Sequence, residues 1–154
     1  MKYLVLDLDK TLIFRNKIDN TYLKRPYLDV FLNEIKHFYK LILFTAGNKN
    51  YYEHVLNITK IKNYFHKEYC NKNLIKNKKD LSILKKNFSK IILVDDKKKN
   101  FKQLKNGILI KEFCGNKKDK KLLLLKRILI KIWKYDDVRK GISDNKKEIN
   151  KLSE

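Results

Sequence analysis

The chain has little of several residues that other classes of protein depend on. Among 154 residues there is one Ala (Ala46), one Pro (Pro26), one Trp, two Cys, four Gly and four Arg. The two cysteines, Cys70 and Cys114, stand in no CxxC or other metal-ligand spacing. That excludes a thiolate metal site and a disulfide framework, and they read as ordinary buried thiols of a reducing compartment. No long apolar run is present either. Asp7 and Asp9 interrupt the first one, and Lys126, Arg127 and Lys131 break the most apolar later segment, Leu122 to Trp133. Neither resembles a secretory signal or the ~20 residues that span a bilayer. A soluble, intracellular protein with no membrane partner is expected, with nucleus and cytoplasm both open. No internal repeat and no interdomain linker is visible, and the length suits one domain able to bury most of its apolar surface.

The shortage of Arg also changes how the charge reads. Lys and Arg number 38 against 17 Asp and Glu, a formal net charge of +21. Only Arg15, Arg25, Arg127 and Arg139 are arginines, so the rest of the cations are lysines, spread along the whole chain. The 16 Asn, 17 Ile and single Ala point the same way, to a gene drawn from A/T-rich codons. A specific nucleic-acid binder would cluster its cations and use Arg for bidentate grip on phosphates and guanines. The charge as it stands promises only salt-sensitive, non-specific attraction to polyanions, and it suits an acidic or phosphorylated partner equally well.

What is present is an alternation of strand and helix. Tyr3 to Leu6, Leu41 to Phe44, Ile91 to Val94 and Ile108 to Ile110 are short apolar runs of the kind buried on both faces of a parallel sheet. Between and after them, helical spacing predicts helices over Tyr27 to Tyr39, Tyr51 to Leu56, Leu81 to Phe88 and Lys120 to Tyr135. Ser143 to Glu154 is polar enough to be a flexible tail. The order implies a single α/β domain with a doubly wound, Rossmann-like parallel sheet.

Polar residues follow three of the strands: Asp7 and Asp9, then Thr45, then Asp95 and Asp96. In an open parallel sheet these strand ends share one edge, where the ligand crevice lies. Four carboxylates meeting there repel one another and need a cation among them. A hard divalent ion is the simple remedy, and Mg²⁺ the best candidate, since it is commonly held by one or two carboxylates together with substrate phosphate and water. The scattered His37, His54 and His66 have no metal-ligand pairing, and Tyr51 with Tyr52 reads as packing on a helix face.

Asp7-Leu8-Asp9-Lys10-Thr11-Leu12 resembles the DxDxT signature of the haloacid dehalogenase (HAD) superfamily of phosphotransferases. Lys24-Arg25-Pro26 through Phe31-Leu32, Phe44-Thr45-Ala46, Lys79-Asp80-Leu81-Ser82, Val94-Asp95-Asp96 and Asn106-Gly107-Ile108 resemble, in order, the blocks of small C-terminal-domain (CTD) phosphatases of the NLI-interacting-factor type. The likeness runs over residues 1–142 and implies a HAD-like phosphatase domain with a minimal cap or none, followed by the tail 143–154. It also implies a Mg²⁺-dependent Ser/Thr phosphoprotein phosphatase working through an aspartyl-phosphate. Asp7 would be the nucleophile and Asp9 the general acid and base. Asp7, the main-chain carbonyl of Asp9 and Asp96 would hold the ion, with Asp95 supporting them. Thr45, Ala46 and Lys79 would bind the phosphoryl group, and Thr11 would support the turn. Lys67, counted back from Cys70, stands where relatives carry a phosphate-gripping Arg.

Two departures follow from the same comparison. Only Ile13 to Leu23 fills the interval where relatives carry a longer insertion that forms a substrate pocket, so that pocket is expected to be reduced or absent. The implied partner is a phosphorylated protein or peptide, and the RNA polymerase II C-terminal tail is one candidate. Lys97-Lys98-Lys99 makes the mouth of the site unusually basic. The rival functions are a catalytically weak binding module for protein or nucleic acid, as in the mitochondrial import branch of the family, and a HAD phosphatase acting on a small molecule or a nucleic-acid end.

Overall fold

A computed structural model describes residues 1–154. Five parallel strands form the central sheet in the order β5-β4-β1-β6-β7, where β1 is Lys2–Leu6, β4 Tyr39–Phe44, β5 Lys67–Tyr69, β6 Ile91–Asp95 and β7 Gly107–Leu109. β1 lies at the centre, with Leu4 opposite Leu41 on one side and Ile92 on the other. The chain winds outward from β1 to β4 and β5, then returns across the sheet to β6 and β7. This reversal puts the crossovers of the two halves on opposite faces, as the handedness rule for parallel crossovers requires, and opens a crevice at the carboxyl ends of the central strands.

The two faces are covered unequally. Leu4, Leu6, Leu41, Leu43, Ile92, Val94 and Ile108 point to one side, into a core of 29 buried residues. Helices α1 (Leu28–Ile35), α2 (Lys49–Thr59) and α3 (Lys121–Trp133) contribute their apolar stripes there. Val5, Ile42, Phe44, Ile91 and Leu93 point to the other side, where Leu81, Leu84 and Phe101 cover them in a cluster of nine. The fold is doubly wound in its connections, but its second layer is built from turns instead of helices.

That difference corrects the helix expected over Leu81 to Phe88. The Asp80 carboxylate caps a single 3-10 turn, Leu81–Leu84, and Lys85 then takes a left-handed φ of 55° that stops propagation. Leu81 and Leu84, three apart, still reach the core, so apolar spacing survives without the helix. The first expected helix is shorter than Tyr27 to Tyr39 because Tyr39 belongs to β4, paired with Lys2 and with its ring buried. Neither thiol is buried as expected: Cys70 is half-buried and Cys114 exposed. No helix is long and apolar enough to cross a membrane.

Two segments exceed the sequence reading. Ile13 to Leu23 was expected only as a shortened interval, and it folds as a small antiparallel hairpin, β2 (Ile13–Asn16) with β3 (Thr21–Lys24). Its Tyr22 packs on Tyr51 and His54 of α2. The expected flexible tail is ordered: α4 (Val138–Asp144), α5 (Lys146–Asn150) and a final 3-10 turn bring Ile149 and Leu152 into the main core. The Leu152 carbonyl accepts a hydrogen bond from the Lys111 amide at 2.7 Å. Ile149 of α5 and Leu152 of the 3-10 turn are the two apolar side chains that the lysine-rich tail buries. Leu152→Ala is therefore expected to lower the free energy of unfolding in urea by about 2–5 kcal/mol, whereas a free tail would give no change.

Candidate active site

Every strand contributing to the site delivers its residue at or just past its carboxyl end. Asp7 remains in the ladder, its amide donating to the Val94 carbonyl at 3.1 Å. The chain then turns sharply: the amides of Leu12 and Ile13 both donate to the Leu8 carbonyl, and Lys10 takes a left-handed φ of 63°. This turn carries Asp9 back toward the crevice and buries Thr11. The Thr11 hydroxyl lies 2.8 Å from one Asp7 oxygen and 3.3 Å from an Asp96 oxygen. With a single proton to give, it serves Asp7 first.

Lys79 is fully buried, and its ammonium donates to the other Asp7 oxygen at 2.8 Å and to Asp95 at 2.6 Å. Burial alone pushes this amine down, but the charges and hydrogen bonds of Asp7 and Asp95 outweigh it, and its pKa stands above the ordinary value. Asp95 is also buried and accepts from the Asn100 side-chain amide at 3.1 Å and from the Lys97 backbone amide at 2.9 Å. Burial and the Asp7 charge raise its pKa. Asp96 is pushed up to about 7, first by burial, then by its hydrogen bond to Asp7 and by the Asp7 and Asp95 charges. Burial likewise raises Asp9, with its hydrogen bond from the Tyr51 hydroxyl opposing the shift.

The donor set fits a hard divalent ion. Carboxylate oxygens of Asp7, Asp95 and Asp96 lie within 4.8 Å of one another, and across the whole site one ammonium stands against four carboxylates. Asp95 is already engaged by three donors, which leaves Asp7 and Asp96 the freer carboxylates.

Thr45 sits just past β4, buried, with its amide donating to the Tyr69 carbonyl and its hydroxyl oxygen accepting from Gly47 at 3.1 Å. Ala46 is exposed beside it, and α2 begins three residues on, capped by the Asn48 side chain. A Cβ at Gly47 would stand 2.9 Å from the Tyr51 ring, so this turn needs glycine to pass close to α2. Lys67 is not brought to the cluster. It pairs with Ile42, well short of the strand end, and its ammonium lies over the Tyr69 ring in a concavity shared with Tyr3, Lys40 and Leu84.

Three residues here had no role in the sequence reading. Tyr51, read as packing, donates its hydroxyl to Asp9. Asn100 holds both Asp95 oxygens. Arg25, inside a recognised block, is fully buried. Its guanidinium makes two bonds to Asp119, at 3.0 and 2.9 Å, and reaches the main-chain carbonyls of Thr11 (3.1 Å) and Lys111 (2.9 Å). The signal available for Arg25 was its scarcity: in a chain that uses Lys nearly everywhere, an Arg marks a place where a flat fork of donors is needed.

A parallel sheet with an aspartate pair at the end of its central strand, a second acidic pair at the end of the neighbouring strand and a buried lysine between them has the architecture of a HAD-like α/β fold. The chain matches the family described as NLI interacting factor-like phosphatase over residues 2–139, and it belongs to that family. It is 29% identical to CTD small phosphatase-like protein 2 of Dictyostelium discoideum over 98% of its own length and 31% of that protein's. It is 34% identical to the mitochondrial import inner membrane translocase subunit tim50 of Emericella nidulans over 66% of its length and 20% of the relative's. In fold it is similar to the fission yeast RNA polymerase II CTD phosphatase Fcp1 bound to beryllium fluoride, with a TM-score of 0.61 and 16% identity over 98% of this chain and 50% of the yeast chain. The chain thus spans half or less of each of these proteins.

Two measurements test the geometry. Because Asp96 titrates higher in the fold than an ordinary carboxyl, it stabilises the metal-free protein at low pH, and that contribution is lost as pH rises through about 7. A divalent ion held by Asp96 would displace this proton, so addition of Mg²⁺ is expected to raise the melting temperature more at pH 8 than at pH 6. Equal shifts at the two pH values would refute the metal assignment. Arg25→Ala, which leaves the nearly buried Asp119 carboxylate unpaired, is expected to cost about 3–5 kcal/mol in chemical unfolding. Arg25→Lys should recover only part of it, because an ammonium cannot make the double bond to Asp119.

Proposed function

We propose that this domain is a Mg²⁺-dependent phosphomonoesterase that acts on phosphoserine or phosphothreonine in polypeptides through an aspartyl-phosphate. The observation that carries the reading is the placement of Asp7. One of its oxygens is held by the Thr11 hydroxyl and the other by the buried Lys79 ammonium, while the raised carboxyl of Asp9 stands two residues on.

In the first step an Asp7 oxygen attacks phosphorus in line. The new Asp7 O–P bond forms as the bond to the leaving oxygen breaks, and Asp9 gives that oxygen its proton. A carboxyl whose burial favours the protonated form suits this donation. In the second step water attacks the phosphoryl group, Asp9 takes the water proton, and the Asp7 O–P bond breaks to release phosphate. The Tyr51 hydrogen bond keeps Asp9 in one orientation for both transfers. Lys79 neutralises Asp7 before attack and the phosphoryl group after it, and the turn formed by buried Thr45 and exposed Ala46 offers polar groups to the remaining oxygens. Asp7, Asp96 and the Asp9 carbonyl would hold Mg²⁺, which supplies positive charge to gather phosphate and carboxylates that would otherwise repel.

Apart from the small β2–β3 hairpin the fold carries no cap domain, which supports a protein segment as substrate over a small metabolite that must be enclosed. The presence of Asp7, Asp9, Thr11, Thr45, Lys79 and Asp96 together supports an enzyme over a binding module. With Mg²⁺, the protein is expected to hydrolyse an aryl phosphate and phosphoserine peptides. Asp7→Asn should abolish turnover, and Asp9→Asn should lower kcat by about 10²–10⁴. Parent and Asp7→Asn proteins of equal activity would overturn the mechanism. Absence of turnover together with failure to trap beryllium fluoride would identify a binding module, and a preference for phosphorylated oligonucleotide ends or small phosphates in a substrate panel would overturn the substrate class.

A further inference from the structure

A basic groove of about 510 Å³ opens beside the phosphate-binding turn, lined by Ala46, Leu74, Lys76, Lys78, Lys97 and Lys99 and backed by Asn100. Two tight turns form its walls. In one, Ile75 and Lys78 exchange both backbone hydrogen bonds at 3.0 Å, while Lys76 and Asn77 between them take left-handed φ values of 50° and 62°. Two successive residues of that kind make a mirror-image turn that fixes where the Lys76 side chain starts. The other runs from Lys97 to Asn100 and follows Asp96 directly.

The walls are tied together. The Lys78 ammonium donates to the Lys99 carbonyl at 2.8 Å, and the Lys79 amide donates to the Asn100 carbonyl at 2.8 Å. Asn100 in turn holds Asp95, so the groove and the catalytic cluster share one scaffold. Lys76, Lys97 and Lys99 are exposed, and none has a carboxylate within 4.0 Å. Three exposed ammonium groups with no carboxylate partner, carried on two tied turns, give this rim a positive potential that favours an anion from outside.

We propose that this groove is a second anion subsite, and that the substrate is a polypeptide segment carrying a second phosphate near the one removed. The inference rests on the phosphatase reading above and deepens it. A segment with its scissile phosphate at Asp7, Thr45 and Lys79 passes Ala46 into the groove, where Lys76, Lys97 and Lys99 take the second phosphate. The lining favours a phosphopeptide over single-stranded nucleic acid. It has no aromatic side chain on which bases could stack and no Arg to read them.

The test compares a peptide with one phosphoserine against the same peptide with a second phosphoserine two to five residues away. The parent is expected to show a kcat/KM about tenfold higher on the doubly phosphorylated peptide, the equivalent of two charge-assisted contacts at a solvated site. Lys76→Gln with Lys99→Gln should remove that preference and leave hydrolysis of an aryl phosphate unchanged. Lys117→Gln with Lys118→Gln, which makes the same charge change elsewhere on the surface, should preserve the preference. No preference in the parent, or equal loss in both double variants, would overturn the subsite while aryl phosphate turnover still stood. Binding of the same peptides to Asp7→Asn protein, read by fluorescence anisotropy, separates the two readings in the other direction. A preference there that depends on Lys76 and Lys99, in a protein whose parent hydrolyses nothing, would keep the groove and sink the phosphatase. Tighter anisotropy binding of a 5′-phosphorylated single-stranded oligonucleotide than of the doubly phosphorylated peptide would overturn the proposal in favour of nucleic acid.

Discussion

The Lys79 ammonium, fully buried between Asp7 and Asp95, is the contact on which the geometry of the site depends. Without it the crevice would bring together carboxylates alone, and those carboxylates would have to protonate, separate or draw in solvent. With it, Asp7 is fixed at a single position, Asp95 has a counter-charge 2.6 Å away in the interior, and the deficit of positive charge that remains falls on Asp96 and on whatever cation the site accepts. The same side chain ties the loop before Asp80 to the carboxyl edge of the sheet. The loop is then pinned again, by the backbone bond from Lys79 to Asn100 and by the hold of Asn100 on Asp95.

Around that centre the fold works as a set of clamps. Arg25 joins the turn after Asp9 to the strand end at Lys111 through two main-chain carbonyls, and Asp119 neutralises it in place. Thr11 couples Asp7 to Asp96 with one hydroxyl. Tyr51 reaches from α2 to Asp9, so the helix that follows the turn at Thr45 and Ala46 also sets the orientation of that carboxylate. These contacts come from segments far apart in sequence, and all meet at the carboxyl edge because β1 lies between the two halves of a doubly wound sheet. The second layer, made of turns, leaves room at that edge for the groove lined by Lys76, Lys97 and Lys99.

Much of this was legible in the residues. Short apolar runs located four of the five sheet strands, and the Asp or Thr residues that follow three of them put Asp7, Asp9, Thr45, Asp95 and Asp96 around one point through the shared edge of a parallel sheet. The block around Lys79 identified one lysine among many. Other features were not legible, for physical reasons that differ from case to case. The helix expected after Asp80 failed because Lys85 adopts a left-handed conformation that no composition signal marks. The tail looked loose because Ile149 and Leu152 are two apolar residues in a polar stretch, and their value depends on the core that receives them. Lys67 was counted to the right block, yet its strand places it opposite Ile42, away from the edge where Thr45 emerges.

By itself the sequence determined the order of elements, the acidic residues at the strand ends and the chemistry that such a set can perform, because these follow from local hydrophobic pattern and from functional groups that do not change with the fold. Only the tertiary structure decided which polar partners those groups acquire: Tyr51 for Asp9, Asn100 for Asp95, Arg25 for the turn, and none for Lys76, Lys97 and Lys99. Partnership depends on direction and on differences in distance of an ångström or less, most often between residues far apart in sequence, and hydrogen bonds and buried charges are decided at that scale. The few arginines and the abundant lysines with which the chain first stands out therefore part company in the folded protein. One arginine became a buried clamp, one lysine the counter-charge of Asp7 and Asp95, and a group of the rest a basic rim beside them.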